Sequence, residues 1–290
     1  MDVLSKFWHR TLGRPFYLAK TVDSGHGDTV VLLHGIGRST EVWDNLIEQL
    51  KGESRVVAFD LLGFGQSAKP DWIDYSTEDH SRSVIASIVK LHSGSPVILV
   101  GHSMGSLVAA RIARDRPDLV KQLVLFEMPL YDGLPDKRYY KLRLDIYRRL
   151  YAKVIAMEPT FDSSNAKLLE RLASHVVAFE INEQSWTPFV RSLKHTILKQ
   201  TAANDIKALR MPIDVIYGSR DMLVIRGRAQ QIFGSDTSWV TAHTIRARHE
   251  ISKKSSKFLY ERIKIGIEAM PNKSGHSRLK DLLSPRIKDT

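Results

Sequence analysis

Pro96-Val97-Ile98-Leu99-Val100-Gly101-His102-Ser103-Met104-Gly105 is the stretch that decides how this chain folds. A continuous apolar run of β type ends in a G-x-S-x-G pentapeptide, and the alanine-rich residues 107–114 continue as a helical pattern. A serine at a sharp turn from a buried strand into a helix has its hydroxyl pushed into the open at the sheet's carboxyl edge. The backbone doubles back on itself there, so the residues two before and two after must be small; Gly101 and Gly105 meet that need. Glycine and serine are common, so the pentapeptide alone is a weak signal. Its strand before and helix after make it specific.

A serine hydroxyl is a poor nucleophile near neutral pH and needs a base, which in turn needs an orienting acid. Such elbows place these partners later in the chain, acid before histidine. Ile213-Asp214-Val215-Ile216-Tyr217-Gly218 reads as a buried strand with Asp221 just beyond it, and a strand pattern over residues 238–245 precedes His249. His243 falls inside that pattern, so His249 is the expected base. His102 and His34 read as packing or loop-organising residues, whereas Asp60, which follows a strand, looks catalytic by position alone.

These motifs together resemble the α/β-hydrolase superfamily over nearly the whole chain. Val30-Val31-Leu32-Leu33-His34-Gly35-Ile36-Gly37 is similar to that family's strand and His-Gly oxyanion loop, and Phe59-Asp60-Leu61-Leu62-Gly63-Phe64-Gly65-Gln66-Ser67 to its D-x-x-G-x-G-x-S turn. The elbow, Tyr217-Gly218-Ser219-Arg220-Asp221 and His249 complete the set in order. The resemblance implies a mainly parallel central sheet flanked by helices, with a helical cap inserted after the sixth strand. It implies a Ser103–His249–Asp221 triad that needs no metal or organic cofactor, and an oxyanion hole made by the backbone N–H groups of Ile36 and Met104. Some relatives place the acid after the sixth strand, which makes Glu127 the alternative acid. The resemblance also departs from the family: Arg248 and Glu250 flank the histidine where glycine and a small residue or proline are usual.

Domain organisation follows from where strand–helix alternation stops. Residues 1–128 and 205–270 are expected to form the core, residues 129–204 a helical cap, and residues 271–290 a basic, loosely held tail. Within the cap, helical spacing joins Tyr140, Leu144, Tyr147, Leu150 and Tyr151, then Leu168, Leu169, Leu172 and Val176, then Phe189, Leu193, Ile197 and Leu198. The cap is expected to rest over Ser103 and supply an apolar wall, with Trp43 and Phe64 as contributors from the core loops.

The chain holds 290 residues, 43 Lys and Arg against 32 Asp and Glu, a net charge of +11, and no cysteine. The absence of cysteine excludes a disulfide framework, a thiolate metal site and a catalytic thiol. The amino-terminal segment mixes Lys6, His9 and Arg10 with Phe7 and Trp8, unlike a signal peptide, so a cytoplasmic location is expected. The densest basic stretch, Lys137-Arg138-Tyr139-Tyr140-Lys141-Leu142-Arg143, is either a solvated helix face or a surface that makes weak contact with an anionic membrane or substrate. No nucleic-acid motif accompanies the charge, and the oligomeric state is left open.

A serine nucleophile points to an acyl-enzyme formed from a small-molecule ester, thioester, lactone or amide. A carboxylic ester is the first expectation. Hydrolysis of a carbon–carbon bond in ring-cleavage products is the enzymatic alternative, against which His102 stands where those enzymes usually carry Asn. A ligand-binding receptor or non-catalytic module on the same fold is the alternative of another class.

Overall fold

The computed structural model describes residues 3–131, 138–158, 179–224, 228–233 and 238–268. Seven strands, β1 (Lys20–Ser24), β2 (Thr29–Leu33), β3 (Arg55–Phe59), β4 (Val97–His102), β5 (Val120–Phe126), β6 (Ile213–Gly218) and β7 (Val240–Ile245), form one sheet in the order β1-β3-β2-β4-β5-β6-β7. Among the described residues only β1 pairs antiparallel, with β3; every other pairing is parallel. The central strands are β-branched and leucine-rich and are buried along their whole length, as a parallel sheet covered on both faces requires.

Alternate residues face opposite layers. Val31, Leu33, Val57, Leu99, Leu123, Leu125 and Val215 enter one core cluster. Its helices are α3 (Thr77–Lys90) and α4 (Met104–Asp115), which bring Val84, Ile88, Leu107 and Ile112. Val30, Leu32, Val56, Ile98, Val100, Val124 and Phe126 enter the other cluster. There Leu46, Ile47 and Leu50 of α2 (Asp44–Leu50) and Leu259 and Ile263 of the last helix (Lys253–Glu268) cover them. A capping box starts α3: Ser76 Oγ accepts from Asp79 N–H, and Asp79 accepts from Ser76 N–H.

Strand order reverses direction at β2, which has β3 on one side and β4 on the other. Ligands of open parallel sheets bind beyond the carboxyl ends of strands at such a point. The β2–β4 register pairs Leu33 with Gly101, so the loop after β2 and the elbow after β4 emerge level with each other.

Between β5 and β6 the described segments are helical: α5 (Arg138–Ala156), α6 (Glu183–Ser192) continuing as a π-type turn (Leu193–Ile197), and α7 (Ala202–Lys207). The strand ahead of them is the fifth of the described sheet. The insertion expected after a sixth strand therefore follows β5, because residues 13–19 run into the sheet without forming a strand ahead of β1. The helical pattern at Leu168 to Val176, Lys137 of the basic stretch, and the tail at 271–290 lie outside the described residues. Among the described residues no helix is long and apolar enough to cross a membrane.

Candidate active site

The elbow is as sharp as its sequence requires. Ser103 sits at φ 52° and ψ −119° between β4 and α4, a left-handed conformation that costs a non-glycine residue about 1–3 kcal/mol. The turn is held by Ser103 N–H donating to Phe126 O at 2.9 Å and by Ser106 Oγ donating to Gly101 O at 2.7 Å. A Cβ on Gly101 would come within 2.6 Å of Gly105 O and of Ser106 Cα, and one on Gly105 within 2.3 Å of Leu33 O. The two glycines are thus required by different neighbours: Gly101 by the helix that folds back over it, Gly105 by the carbonyls at the end of β2.

The ends of β6 and β7 bring up the other two groups. His249 Nδ1 lies 2.7 Å from Asp221 Oδ2, and both side chains are almost wholly removed from solvent. With Nδ1–H donating to that carboxylate, Nε2 is left as the acceptor. Leu223 N–H donates to Asp221 Oδ1 at 2.6 Å. Burial by itself would raise the Asp221 pKa, but the hydrogen bond and charge of His249 and the hydrogen bonds from Glu127 and Leu223 outweigh it and hold the group at about 2.

Glu127 is fully buried at the end of β5, at φ 52°. Its Oε1 accepts from Gly218 N–H at 2.6 Å. Burial, then the hydrogen bond and charge of Asp221, push its pKa up to about 11, so it is a neutral acid across the physiological range. Among the described residues no hydrogen-bond partner reaches its Oε2, which suits a protonated oxygen beside the Asp221 carboxylate. The imidazole contact belongs to Asp221, and Glu127 stands behind it. The three groups have ligand atoms within 4.8 Å of one another, a spacing open to a metal ion. His249 Nδ1 is already engaged with Asp221 at 2.7 Å and burial holds a proton on Glu127, so a cation would have to displace both.

His102 lies against His249. Its Nε2–H donates to His249 O at 2.9 Å, and its ring packs against Phe126 and edge-on to Trp43. Burial and the neighbouring His249 lower its pKa to about 3, so it stays neutral. His34 donates from Nδ1 to Gly35 O at 2.7 Å and accepts at Nε2 from Leu61 N–H at 2.8 Å, fixing the loop that carries Ile36. Asp60 accepts from Thr40 and Gln66 N–H, a turn organiser remote from the imidazole. His243 pairs with Asp214 at 2.7 Å, where Arg262 and Gln122 also converge. It is remote from Ser103 in role and partners.

Ser103 and His249 open on one cavity of about 180 Å³. Gly35, Ile36 and Arg38 line it from the core, and Tyr131, Leu150, Tyr151, Val154, Phe179, Phe189, Leu193 and Ile197 from the insertion. Met104 is the first residue of α4, where helix N–H groups have no intrahelical acceptor. Trp43 and Phe64, expected in the wall, are absent from this lining. Trp43 lies in the cluster on the other face of the sheet, and Phe64 is packed between the rings of His34 and His80.

Contacts the local sequence could not signal tie the site together. Gly37 O accepts from Glu180 N–H at 2.7 Å, and a Cβ on Gly37 would press on Phe179 and Phe189 at 3.1 Å. Arg38 reaches Glu180 at 3.4 Å and Glu250 at 3.8 Å, joining the β2 loop, the insertion and the histidine loop. Glu250, unusual beside the histidine, therefore has an ionic partner. Tyr131 Oη donates to Leu223 O at 3.3 Å, linking the start of the insertion to the Asp221 loop.

Residues 28–244 match the family model described as alpha/beta hydrolase fold. A probable esterase of Oryza sativa subsp. japonica is 36% identical over 126 residues, 42% of this chain and 45% of the relative. The (E)-2-((N-methylformamido)methylene)succinate hydrolase of Acinetobacter baylyi is 38% identical over 103 residues, 36% of this chain and 38% of the relative. The matches thus span less than half the length of these curated relatives. Among solved structures, a haloalkane dehalogenase loop variant from Bradyrhizobium elkanii superposes with a TM-score of 0.66 at 20% identity, covering 88% of this chain and 98% of that one. At that identity the likeness is one of fold.

Proposed function

The chain belongs to the α/β-hydrolase fold family, and from that premise we propose that it is a serine hydrolase cleaving a small or medium carboxylic ester through an acyl-enzyme on Ser103. The observation that carries this reading is the 2.7 Å contact between His249 Nδ1 and the buried Asp221, with His249 itself in the wall of the cavity that Ser103 enters. His249 Nε2 takes the Ser103 hydroxyl proton as Oγ bonds to the substrate carbonyl carbon. The oxyanion that forms is received by the N–H groups of Ile36 and Met104, one on the β2 loop and one at the positive end of α4. Collapse breaks the ester C–O bond, and the leaving alkoxide takes the proton back from His249. Water then repeats the sequence: its proton passes to His249, its oxygen bonds to the acyl carbon, and Ser103 leaves with that proton. Asp221 stays ionised throughout and stabilises the imidazolium.

Thioesters and lactones present the same carbonyl to the same groups. The cavity volume and its aliphatic and aromatic wall favour short to medium acyl groups over peptides. The helical insertion at 129–204 acts as a cap that sets this preference. A series of p-nitrophenyl esters from acetate to dodecanoate, run on the wild type and Ser103→Ala, tests the proposal. The expected result is turnover that peaks at short or medium chains and vanishes in the variant. Equal turnover by Ser103→Ala would overturn it.

A further inference from the structure

The first helix of the chain turns its apolar side chains outward. Val3–Lys6 is α-helical and Phe7–Thr11 continues it as a π-type turn. Leu4, Phe7, Trp8 and Leu12 recur at spacings of three, one and four, which is one face of a helix. They are 74%, 50%, 49% and 49% exposed, and they make up half of the large apolar side chains that stand exposed on the described surface. Scattered single exposures need no explanation, but a helical stripe of four does.

The stripe is not a frayed end. His9 stacks on Phe16 at 3.7 Å and its Nδ1 donates to Arg14 O at 2.8 Å. Arg82 of α3 donates to Gly13 O at 2.7 Å, and the Lys6 ammonium lies 5.5 Å from the Trp72 ring. These contacts tie the segment to the rest of the protein. The segment is basic: Lys6, Arg10 and Arg14 are all exposed, the Arg14 guanidinium lies 5.8 Å from the Trp8 ring of the stripe, and Lys90 sits over the exposed Tyr17 ring at 4.5 Å. No acidic residue lies between Val3 and Tyr17 in a chain that carries +11 overall.

Leucine, phenylalanine and tryptophan on one helical face with lysine and arginine beside them is the chemistry of a helix that lies in a bilayer interface. The cations meet anionic headgroups while the apolar face enters the acyl boundary. We propose that residues 3–14 form an interfacial anchor that docks this protein on an anionic lipid surface. A second copy of the chain would bring like charges together around the stripe, which disfavours that occupant. The same segment borders a groove shared with Gln184 of α6, the helix whose Phe189 walls the cavity. The inference is independent of the hydrolytic reading, since its test measures binding.

The test is co-sedimentation of the full chain with vesicles of phosphatidylcholine alone or with one-third phosphatidylglycerol. Trp8 quenching by brominated phosphatidylcholine is measured in parallel. The expected result is binding to the anionic vesicles only, weakened at 0.5 M salt. It should fall at least roughly tenfold both in the Leu4→Ser, Phe7→Ser, Trp8→Ser, Leu12→Ser variant and in the Lys6→Glu, Arg10→Glu, Arg14→Glu variant. Circular dichroism and short-ester turnover should be unchanged in both. Bromine quenching should disappear in Trp8→Phe.

Absence of binding to the anionic vesicles overturns the proposal. So does binding lost through Lys137→Glu, Arg138→Glu, Lys141→Glu, Arg143→Glu but kept by the stripe variants. A dimer in light scattering that the stripe variants abolish would assign the face to a second copy. Binding that appears only when residues 269–290 are removed would assign it to the tail.

Discussion

Glu127 and Asp221 are two buried carboxyls side by side with opposite protonation: Glu127 is driven up to about 11 and keeps its proton, while Asp221 is held at about 2. Only Asp221 contacts the imidazole. The pair predicts different outcomes for similar substitutions. Asp221→Asn should lower kcat by about 10³–10⁴-fold, because the imidazolium loses its counter-charge and the imidazole its tautomer. Glu127→Gln keeps a donor toward Asp221 and an acceptor for Gly218 N–H, so it should lose no more than about tenfold, the worth of one hydrogen bond. Glu127→Leu strands that N–H and should also destabilise the fold by about 1–3 kcal/mol. A Glu127→Gln loss equal to that of Asp221→Asn would make Glu127 the acid.

Backbone proximity makes Gly105 and Gly218 the least replaceable glycines near the site. Alanine at 105 would put a methyl 2.3 Å from Leu33 O, and at 218 one 2.4 Å from Glu127 Oε1 and 2.5 Å from Ala247 O. Gly105→Ala should destabilise the fold by about 3 kcal/mol or more. Gly218→Ala should depress kcat as well, since it displaces the carboxyl pair. Gly52→Ala, with nothing within 4 Å of the added methyl, is the control. Its strain comes from φ 87° alone, and its activity should be intact. Thermal melts and ester kinetics on the three variants check this.

Acid should unfold the protein through its buried neutral histidines. Desolvation lowers His34 to about 4 and His80 and His102 to about 3. The unfolded chain takes up these protons near pH 6.5 while the folded state refuses them. Stability is therefore complete above that pH and falls as pH drops toward about 3–4. Each histidine contributes about 2 kcal/mol of loss by about pH 5. His80, bonded to Ser192 Oγ at 3.1 Å, can be changed without touching the site. Urea unfolding of His80→Gln should show a shallower loss between about pH 6.5 and 5 than the wild type, and an unchanged slope would contradict this account.

The cavity wall predicts chain-length preference. Val154 of α5 is buried and faces the cavity. Val154→Trp should leave acetate turnover near normal and cut octanoate turnover by at least roughly tenfold, a pattern read from kcat/KM across the ester series. A uniform loss at every length would mean that the insertion does not set the preference.

What could be read from the sequence was local. The elbow, the β2 loop and the strand ends carrying Asp221 are short motifs in which neighbouring residues meet the same constraint, and the fold class follows from their order. What could not be read depends on partners brought from afar. Glu127 and Asp221 are opposed because β5 pairs with β6, with Phe126 level with Ile216. Arg38 becomes a link only when Glu180 and Glu250 arrive from different segments. Trp43 and Phe64 looked like pocket residues because they follow the right strands, yet the sheet face they pack on is set by tertiary docking. The outward stripe at Leu4 to Leu12 was visible as a mixture of apolar and basic residues, but its exposure was not.

Trapping of the proposed acyl-enzyme on Ser103 separates covalent catalysis by this serine from every other reading of the site. The protein is mixed with excess p-nitrophenyl butyrate, quenched in acid within milliseconds to seconds, and analysed by intact mass and peptide mapping. A burst of p-nitrophenol and a butyryl adduct on the peptide containing Ser103 are expected, both absent in Ser103→Ala. A butyryl group mapped to another residue, or steady turnover by Ser103→Ala, would contradict it.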